Sequence, residues 1–238
     1  MFLAFDGVSR DLLYDMLRRG ELPNLTKLLG GDNLRHAHLD ETVLSTLPSS
    51  TFPAWATMMT GKTPAEHGVT GNEYFVRRTA TFACPAPVSF EDSAPTFAIY
   101  SDGYMDSLID GETVYEQMRA QEPSSQIWVA MHTVYRGADR LVMTRRSVIV
   151  EAFEAFIVTQ VKKLKEGKKP RDTFAGLDEE VLEVVAHKLK DKENPVPDVL
   201  TVYLAGTDLY SHVAQEGPDT ARRAYLKEVM THWDPNQT

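Results

Sequence analysis

The sequence predicts an α/β fold, built from a mostly parallel sheet with helices on both faces. Apolar segments of strand length alternate with amphipathic helical segments along most of the chain. Two apolar strand segments, Phe2–Phe5 and Val199–Leu204, each lead into a turn that carries an aspartate, Asp6 and Asp208. Ligands of open α/β sheets bind at the carboxyl ends of the strands. The two aspartates together indicate a site at that edge, although a single aspartate after a strand is commonly a turn residue.

The N-terminal elements follow from local start and stop signals. We expect a first helix at Arg10–Arg19, because Ser9 can cap its N-terminus and Gly20 can end it. Pro23 begins a second short helix, and a strand-like stretch follows at residues 34–43. These segments place Asp6 between a buried strand and a helix.

The middle and C-terminal elements are predicted in the same way. A turn at 48–53 leads into a helix that Gly61 ends, and residues 73–125 are interpreted as loops and short strands. Further elements are a strand at Ile127–Met131, helices at Arg145–Lys165 and Leu177–Leu189, a strand at Val199–Leu204 and a helix at Asp219–Met230.

Composition and charge restrict the class of partner. The chain has 238 residues and a formal net charge of −9, which argues against a nucleic-acid polymer as partner. Cys84 is the single cysteine, so a metal site must use Asp, Glu, His or hydroxyl oxygen. No apolar run in the sequence is long enough to span a membrane. The chain opens directly on an apolar run, so we expect a periplasmic or extracellular protein if a leader was removed, and otherwise a cytoplasmic one.

The first candidate for chemistry is Thr51, at the predicted start of the helix that follows the turn at 48–53. A hydroxyl there lies beside unpaired backbone N–H groups and the positive end of the helix dipole, which favour an alkoxide and an incoming phosphate. Nucleophilic attack also requires a base or a metal that lowers the pKa of the hydroxyl. The alternative is that Thr51 is a simple N-cap.

The second candidate segment is a tight connection that contains His67 and Asn72. His67 suits either a metal or a hydrogen bond within its own turn, and the turn is the favoured interpretation. The amide of Asn72 suits a phosphate oxygen, and Asn is equally common as a turn residue. The third candidate is the pair Asp208 and His212, which lie four residues apart and share one face if the segment is helical. A carboxylate and an imidazole together suit zinc.

Taken in order, these segments resemble the type I phosphodiesterase/nucleotide pyrophosphatase family of the alkaline phosphatase superfamily. The resemblance runs from residue 2 to about residue 229 and is strongest over residues 44–75 and 197–213. The matching motifs are Asp6-Gly7, Ser50-Thr51-Phe52-Pro53, Thr60-Gly61, Pro64, His67-Gly68, Asn72 and the Asp208/His212 pair. The segment after Thr51 lacks the arginine that the sulfatases of this superfamily carry.

The resemblance implies a metal-dependent hydrolase of phosphate esters, either phosphodiesters or pyrophosphates. It implies two divalent metal ions, usually zinc, and assigns Asp6, Thr51, Asp208 and His212 as metal ligands. Thr51 would also be the nucleophile and would form a covalent phospho-threonine, while Asn72 would contact the substrate phosphate. The substrate would be a small-molecule phosphate ester whose identity, like the oligomeric state, the sequence leaves open.

The sequence also departs from the family pattern. A further Asp-His-Gly segment and a later histidine, both metal ligands in the family, do not appear, and His232 is a poor substitute. We therefore expect residues 1–238 to be a single but incomplete catalytic domain, in which residues 73–175 form substrate-specificity loops and a helical insertion. The alternatives are a phosphoryl-group transferase on the same fold and a truncated chain that is catalytically inactive.

Overall fold

Residues 1–86, 103–144 and 170–232 are described by the computed structural model. The strands of these residues are β1 (Phe2–Phe5), β2 (Tyr74–Val76), β3 (Thr81–Ala83), β4 (Ile127–Ala130), β5 (Arg140–Val142) and β6 (Val199–Leu204). Their helices are α1 (Arg10–Arg18), α2 (Pro23–Leu28), α3 (Thr51–Thr60), α4 (Pro64–His67), α5 (Tyr104–Leu108), α6 (Val114–Gln121), α7 (Pro170–Lys190), α8 (Gly206–Val213) and α9 (Pro218–His232). The helix expected at 145–165 lies outside the described residues.

The described strands form a four-stranded sheet in the order β1-β6-β4-β5, together with a separate two-stranded β2-β3 hairpin. Strands β4 and β5 are parallel, with Val129 opposite Leu141. Strand β4 is buried along its whole length, as its uninterrupted apolar sequence requires. The prediction of an α/β fold with a mostly parallel sheet is confirmed.

The chain divides into two compact units. The first contains the described residues within 1–2, 44–150 and 196–201, and the second those within 3–43, 151–195 and 202–238. In the first unit, Trp55 of α3 packs edge-to-face on His132, with ring centroids 5.1 Å apart. Tyr115 of α6 is fully buried, and its hydroxyl donates a 2.7 Å hydrogen bond to Oγ1 of Thr201.

The second unit is built mainly of helices that pack on one another. Helix α8 packs against both α7 and α9, and α9 packs against α1 and α2. The apolar side chains of α1 and α9 meet in this core, where Met16 and Leu226 are almost fully buried. At its rim, Arg223 of α9 forms ion pairs with Asp15 at 2.5 Å and Glu21 at 2.7 Å.

The prediction of a strand at residues 34–43 is wrong. Leu34 has a left-handed backbone, with φ 47°, and the segment forms turns in place of an extended chain. Its carbonyl groups bond to side chains: Glu41 and Val43 accept from the guanidinium of Arg10, and Asp40 accepts from the hydroxyl of Tyr14. A strand needs a neighbour that takes up its backbone groups, and here side chains take up several of them instead.

Helix α6 and strand β5 are among the described elements that the sequence prediction missed. Helix α6 interrupts the region interpreted as loops, and it begins at a capping box in which Thr113 and Glu116 each accept from the other's backbone N–H. The Thr-x-x-Glu spacing was the available signal. Strand β5 is only three residues long, and it is recognised as a strand through its parallel pairing with β4. Within the described stretches, none of the helices combines the length and apolar character needed to cross a membrane.

Candidate active site

Asp6 lies directly after β1, and its carboxylate is hydrogen-bonded on both oxygens. The backbone N–H of Asp6 donates to the carbonyl of Leu204, which continues the pairing of β1 with β6. Oδ1 accepts from the backbone N–H of Gly7 at 2.9 Å, and Oδ2 accepts from the hydroxyl of Tyr203 at 2.5 Å. Burial, followed by the charge of Asp6, raises the pKa of Tyr203 well above its usual value. Tyr203 therefore stays protonated and acts as the donor.

Asp208 and His212 lie on one face of helix α8, as their spacing predicts. The distance between Oδ2 of Asp208 and Nε2 of His212 is 3.3 Å. The Asp208 side chain is 22 % exposed and that of His212 is 62 % exposed, so the pair is open to solvent on one side. The local geometry thus brings an oxygen and a nitrogen donor together at the surface of the second unit.

Gly7 brings the end of β1 close to the start of α8. Its φ of +68° is left-handed, and a Cβ atom built on it would lie 2.6 Å from Oδ1 of Asp208. Only glycine allows this approach, because any side chain would overlap Asp208. Asp6 and Asp208, which the sequence places 202 positions apart, therefore lie in the same part of the second unit.

The side chains of Asp6, Asp208 and His212 suit a divalent metal ion only in part. Carboxylate oxygen and imidazole nitrogen are typical zinc ligands, and Asp208 and His212 offer one of each. Across residues 1–86, 103–144 and 170–232, however, no three His, Cys, Asp or Glu side chains group closely enough to hold a metal. Asp208 and His212 are therefore two adjacent donors, with no third acidic, histidine or cysteine side chain of the described residues grouped with them.

Thr51 is the first residue of helix α3 in the first unit. The capping position belongs to Ser50, which has extended backbone angles of φ −84° and ψ 161° and makes no side-chain cap bond. The simple N-cap interpretation of Thr51 therefore does not apply. Its hydroxyl lies in the first turn of the helix, where backbone N–H groups lack intrahelical partners.

Asn72 is bonded to the same helix start. Its Oδ1 accepts a 3.2 Å hydrogen bond from the backbone N–H of Phe52, the residue after Thr51. Because an N–H donor requires an oxygen acceptor, this contact fixes which way the amide faces. The amide nitrogen of Asn72 is therefore the group available to donate to a ligand.

His67 is a buried residue that holds its own turn, as the sequence predicted. Its Nδ1 accepts from the backbone N–H of Val69 at 3.1 Å, and its Nε2 lies 3.1 Å from Oγ1 of Thr57. Burial lowers the pKa of His67, which keeps the ring neutral. Its two ring nitrogens are both engaged, so it has a structural role.

Sequence reasoning did not single out Tyr203. It lies in a largely apolar strand whose other hydroxyl-bearing residue is Thr201, and it comes shortly before the helix that carries Asp208. Its partner Asp6 lies 197 positions away and is reached through the β1-β6 pairing. The sequence signal was therefore a tyrosine at the carboxyl end of a buried strand, which is too common to be diagnostic.

A family model described as "Type I phosphodiesterase / nucleotide pyrophosphatase" matches residues 1–231. The chain belongs to the type I phosphodiesterase/nucleotide pyrophosphatase family. A comparison with curated proteins finds no match.

Among solved structures, this family member is similar to phosphonoacetate hydrolase from Sinorhizobium meliloti 1021. The complex with phosphonoformate matches with a TM-score of 0.52 and 15% identity, over 96% of this chain and 51% of that chain. The complex with phosphonoacetate matches with a TM-score of 0.49 and 14% identity, again over 96% and 51%. The first match supports an alkaline phosphatase-like fold. The chain spans about half the length of these structures.

Proposed function

We propose that this protein hydrolyses small-molecule phosphate esters, either phosphodiesters or pyrophosphates, through a phospho-threonine intermediate on Thr51. The observation that carries the proposal is the hydrogen bond between the backbone N–H of Phe52 and Oδ1 of Asn72. This bond holds the Asn72 amide against the backbone at the start of helix α3, and the start of a helix favours a phosphate oxygen. Membership of the phosphodiesterase family supports the same reaction class.

Thr51 is proposed as the nucleophile. Its Oγ1 forms a bond to phosphorus while the bond from phosphorus to the leaving-group oxygen breaks, and the threonine proton is released to solvent. The leaving alkoxide takes a proton from water and departs as an alcohol. A water molecule then attacks the phospho-threonine, which releases the phosphate product and restores the hydroxyl.

Asn72 is proposed to bind the phosphoryl group during both steps. With Oδ1 held by Phe52, its Nδ2 donates to a phosphate oxygen on which negative charge increases in the transition state. A preorganised donor of this kind stabilises the transition state more than the ground state. The binding of Asn72 to helix α3 therefore has a catalytic use as well as a structural one.

Asp6, Asp208 and His212, with the hydroxyl oxygen of Thr51, are proposed as ligands of two divalent metal ions, with zinc favoured by the donor types. When bound, such ions supply positive charge that stabilises phosphoryl oxygens and favours an ionised hydroxyl. The bonds from Gly7 and Tyr203 fix the orientation of the Asp6 carboxylate. His212 is the ligand that is most open to solvent.

The proposal is tested by nitrophenol release from bis(nitrophenyl) phosphate, measured on the complete protein after chelation and again after zinc is restored. We expect zinc-dependent turnover, and rapid quenching followed by peptide mapping should find phosphate on Thr51. A phosphorylated Ser50 would move the nucleophile by one position. Absence of a covalent adduct in an active protein would refute the mechanism. Product transfer to an added acceptor alcohol would identify a transferase.

The metal assignment needs its own control. His212→Ala should weaken zinc binding, measured by competition with a chromogenic chelator, by about 10-fold or more. His36→Ala is the matched control, because His36 is an exposed histidine of the same unit and lies outside the proposed ligands. Equal zinc affinity of the two variants would contradict the assignment of His212.

A further inference from the structure

A buried carboxylate lies against the start of the helix that carries Asp208 and His212. Asp178 belongs to helix α7 and is 1% exposed. Its Oδ1 accepts from the backbone N–H of Gly206 at 3.1 Å, and its Oδ2 accepts from the hydroxyl of Tyr225 at 2.9 Å. All of these groups belong to the second unit. Asp178 thus connects α7 and α9 to the first residue of α8.

Helix α8 has no capping side chain of its own. Its capping position is Ala205, which makes no side-chain cap bond, whereas the first N–H groups of a helix need acceptors from outside it. Asp178 supplies that acceptor from another helix, and the negative charge of its ionised form suits the positive end of the helix dipole. The contact therefore replaces the Ser, Thr, Asp or Asn that usually caps a helix.

Gly206 makes the approach of Asp178 possible. A Cβ atom built on Gly206 would lie 2.7 Å from Oδ2 of Asp178 and would overlap the hydroxyl of Tyr225. The ring of Tyr225 also stacks on Tyr210 of α8, with ring centroids 5.8 Å apart. A small residue, a carboxylate and a tyrosine therefore fit together at one end of the helix.

The position of Asp178 is costly for stability. It falls on the apolar face of α7 together with Phe174, Val181 and Leu182, which are all buried. Burial raises the pKa of Asp178 to about 7, and the hydrogen bonds from Tyr225 and Gly206 oppose this shift. An apolar side chain would pack here at lower cost, so the carboxylate is explained by the helix start that it binds.

We propose that Asp178 is a positioning residue that holds the first turn of α8 and so fixes Asp208 and His212. Asp208 lies two residues after the anchored Gly206, and His212 lies one turn further along the same face. A loosened first turn would move the Asp208 carboxylate away from the imidazole of His212. The value of this arrangement to the enzyme rests on the proposed function, in which both side chains bind metal.

The test compares Asp178→Ala with two controls on the same helix. Glu180→Gln changes an exposed carboxylate, and Leu182→Ala removes buried apolar volume while Asp178 keeps its carboxylate. Amide hydrogen exchange of the segment 205–213 is measured under conditions in which Asp178→Ala and Leu182→Ala have equal global stability. We expect exchange in this segment to be about 10-fold or more faster in Asp178→Ala than in Leu182→Ala.

A second readout is zinc affinity, which should fall by about 10-fold in Asp178→Ala and stay unchanged in Glu180→Gln. Asp178→Asn should restore most of the exchange protection and most of the affinity, because its amide oxygen still accepts from Gly206. Equal exchange and equal affinity in Asp178→Ala and Leu182→Ala would overturn the proposal, since the role would then be structural. If the wild-type protein binds no zinc, the metal assignment fails, while the exchange comparison still decides the anchoring.

Discussion

Gly7 lies so close to Asp208 that a methyl group in place of its hydrogen would come within 2.8 Å of the Cα of Asp208. The clash is with backbone, so a change of rotamer cannot relieve it. This contact connects the end of strand β1 to the helix that carries Asp208 and His212.

Gly7→Ala should therefore destabilise the fold by more than its backbone angle alone predicts. Gly20 is the matched control, because it has nearly the same φ, +67°, and nothing lies within 4 Å of the point where an added Cβ would stand. We expect Gly20→Ala to cost about 1–2 kcal/mol of unfolding free energy for the left-handed backbone. Gly7→Ala should cost roughly 1–3 kcal/mol more for the overlap. Equal losses in urea-induced unfolding would contradict the contact.

Thr51→Ala should separate activity from stability. Thr51 occupies the first helical position and Ser50 the cap, so loss of the hydroxyl should change the unfolding free energy by about 0.5 kcal/mol or less. Removal of a nucleophile should lower turnover by about three powers of ten or more. Thr51→Ser should retain measurable turnover because it keeps the hydroxyl, and Ser50→Ala should be mild. Full activity in Thr51→Ala would exclude Thr51 as nucleophile.

Asn72→Asp tests the donor role of the amide. The variant keeps the oxygen that accepts from Phe52, so the thermal unfolding midpoint should change little. It loses the donor and adds a negative charge near the proposed phosphate site, so kcat/KM should fall by about 100-fold. Asn72→Ala should lose both the activity and the contact to helix α3, with a stability cost of about 1 kcal/mol. An active Asn72→Asp would contradict the assignment.

Asp106 should give the first unit a measurable pH dependence. It is 5% exposed, both of its oxygens accept from the backbone N–H of Tyr135, and burial raises its pKa to about 6, against the opposing effect of Arg136. The folded protein therefore retains a proton that the unfolded chain releases near pH 4. The resulting stabilisation is fully present below about pH 4 and is lost as the pH rises through about 6.

Asp106→Asn cannot titrate, so it is the reference for this effect. The unfolding free energy of the wild type minus that of Asp106→Asn should fall by about 2 kcal/mol between pH 4 and pH 7. Chemical unfolding at several pH values measures this difference. A difference that is constant with pH would show that Asp106 is not held in the protonated form.

Local sequence patterns predicted the elements whose start, stop and burial signals lie within a few residues of one another. Strands β1 and β6 were predicted with their observed bounds, because short apolar runs bounded by polar turns are local signals. The helix at Arg10–Arg18 was predicted from Ser9, whose hydroxyl accepts from the backbone of Leu12. The 3.3 Å contact of Asp208 and His212 follows from their spacing on a helix.

Asp178 had a signal that could have been found. It shares the helical face of Phe174 and Val181, so a carboxylate on an apolar stripe was visible in the sequence. Its partner Gly206 could not be predicted. Nothing near Gly206 in the sequence indicates that the helix beginning there is capped by Asp178, a residue 28 positions earlier. A buried polar residue on an apolar face predicts that a partner exists without predicting which one.

The sequence by itself determined the fold class, the main strands, the helix that begins at Thr51 and the four-residue spacing of Asp208 and His212. Each depends on residues within a few positions of one another, where backbone geometry sets the spacing. The tertiary structure alone decided the bond of Tyr203 to Asp6, the approach of Gly7 to Asp208, the capping of α8 by Asp178 and the loss of the strand expected at 34–43. These depend on strand pairing and helix packing, which bring groups from distant parts of the chain together and so determine which donor bonds to which acceptor.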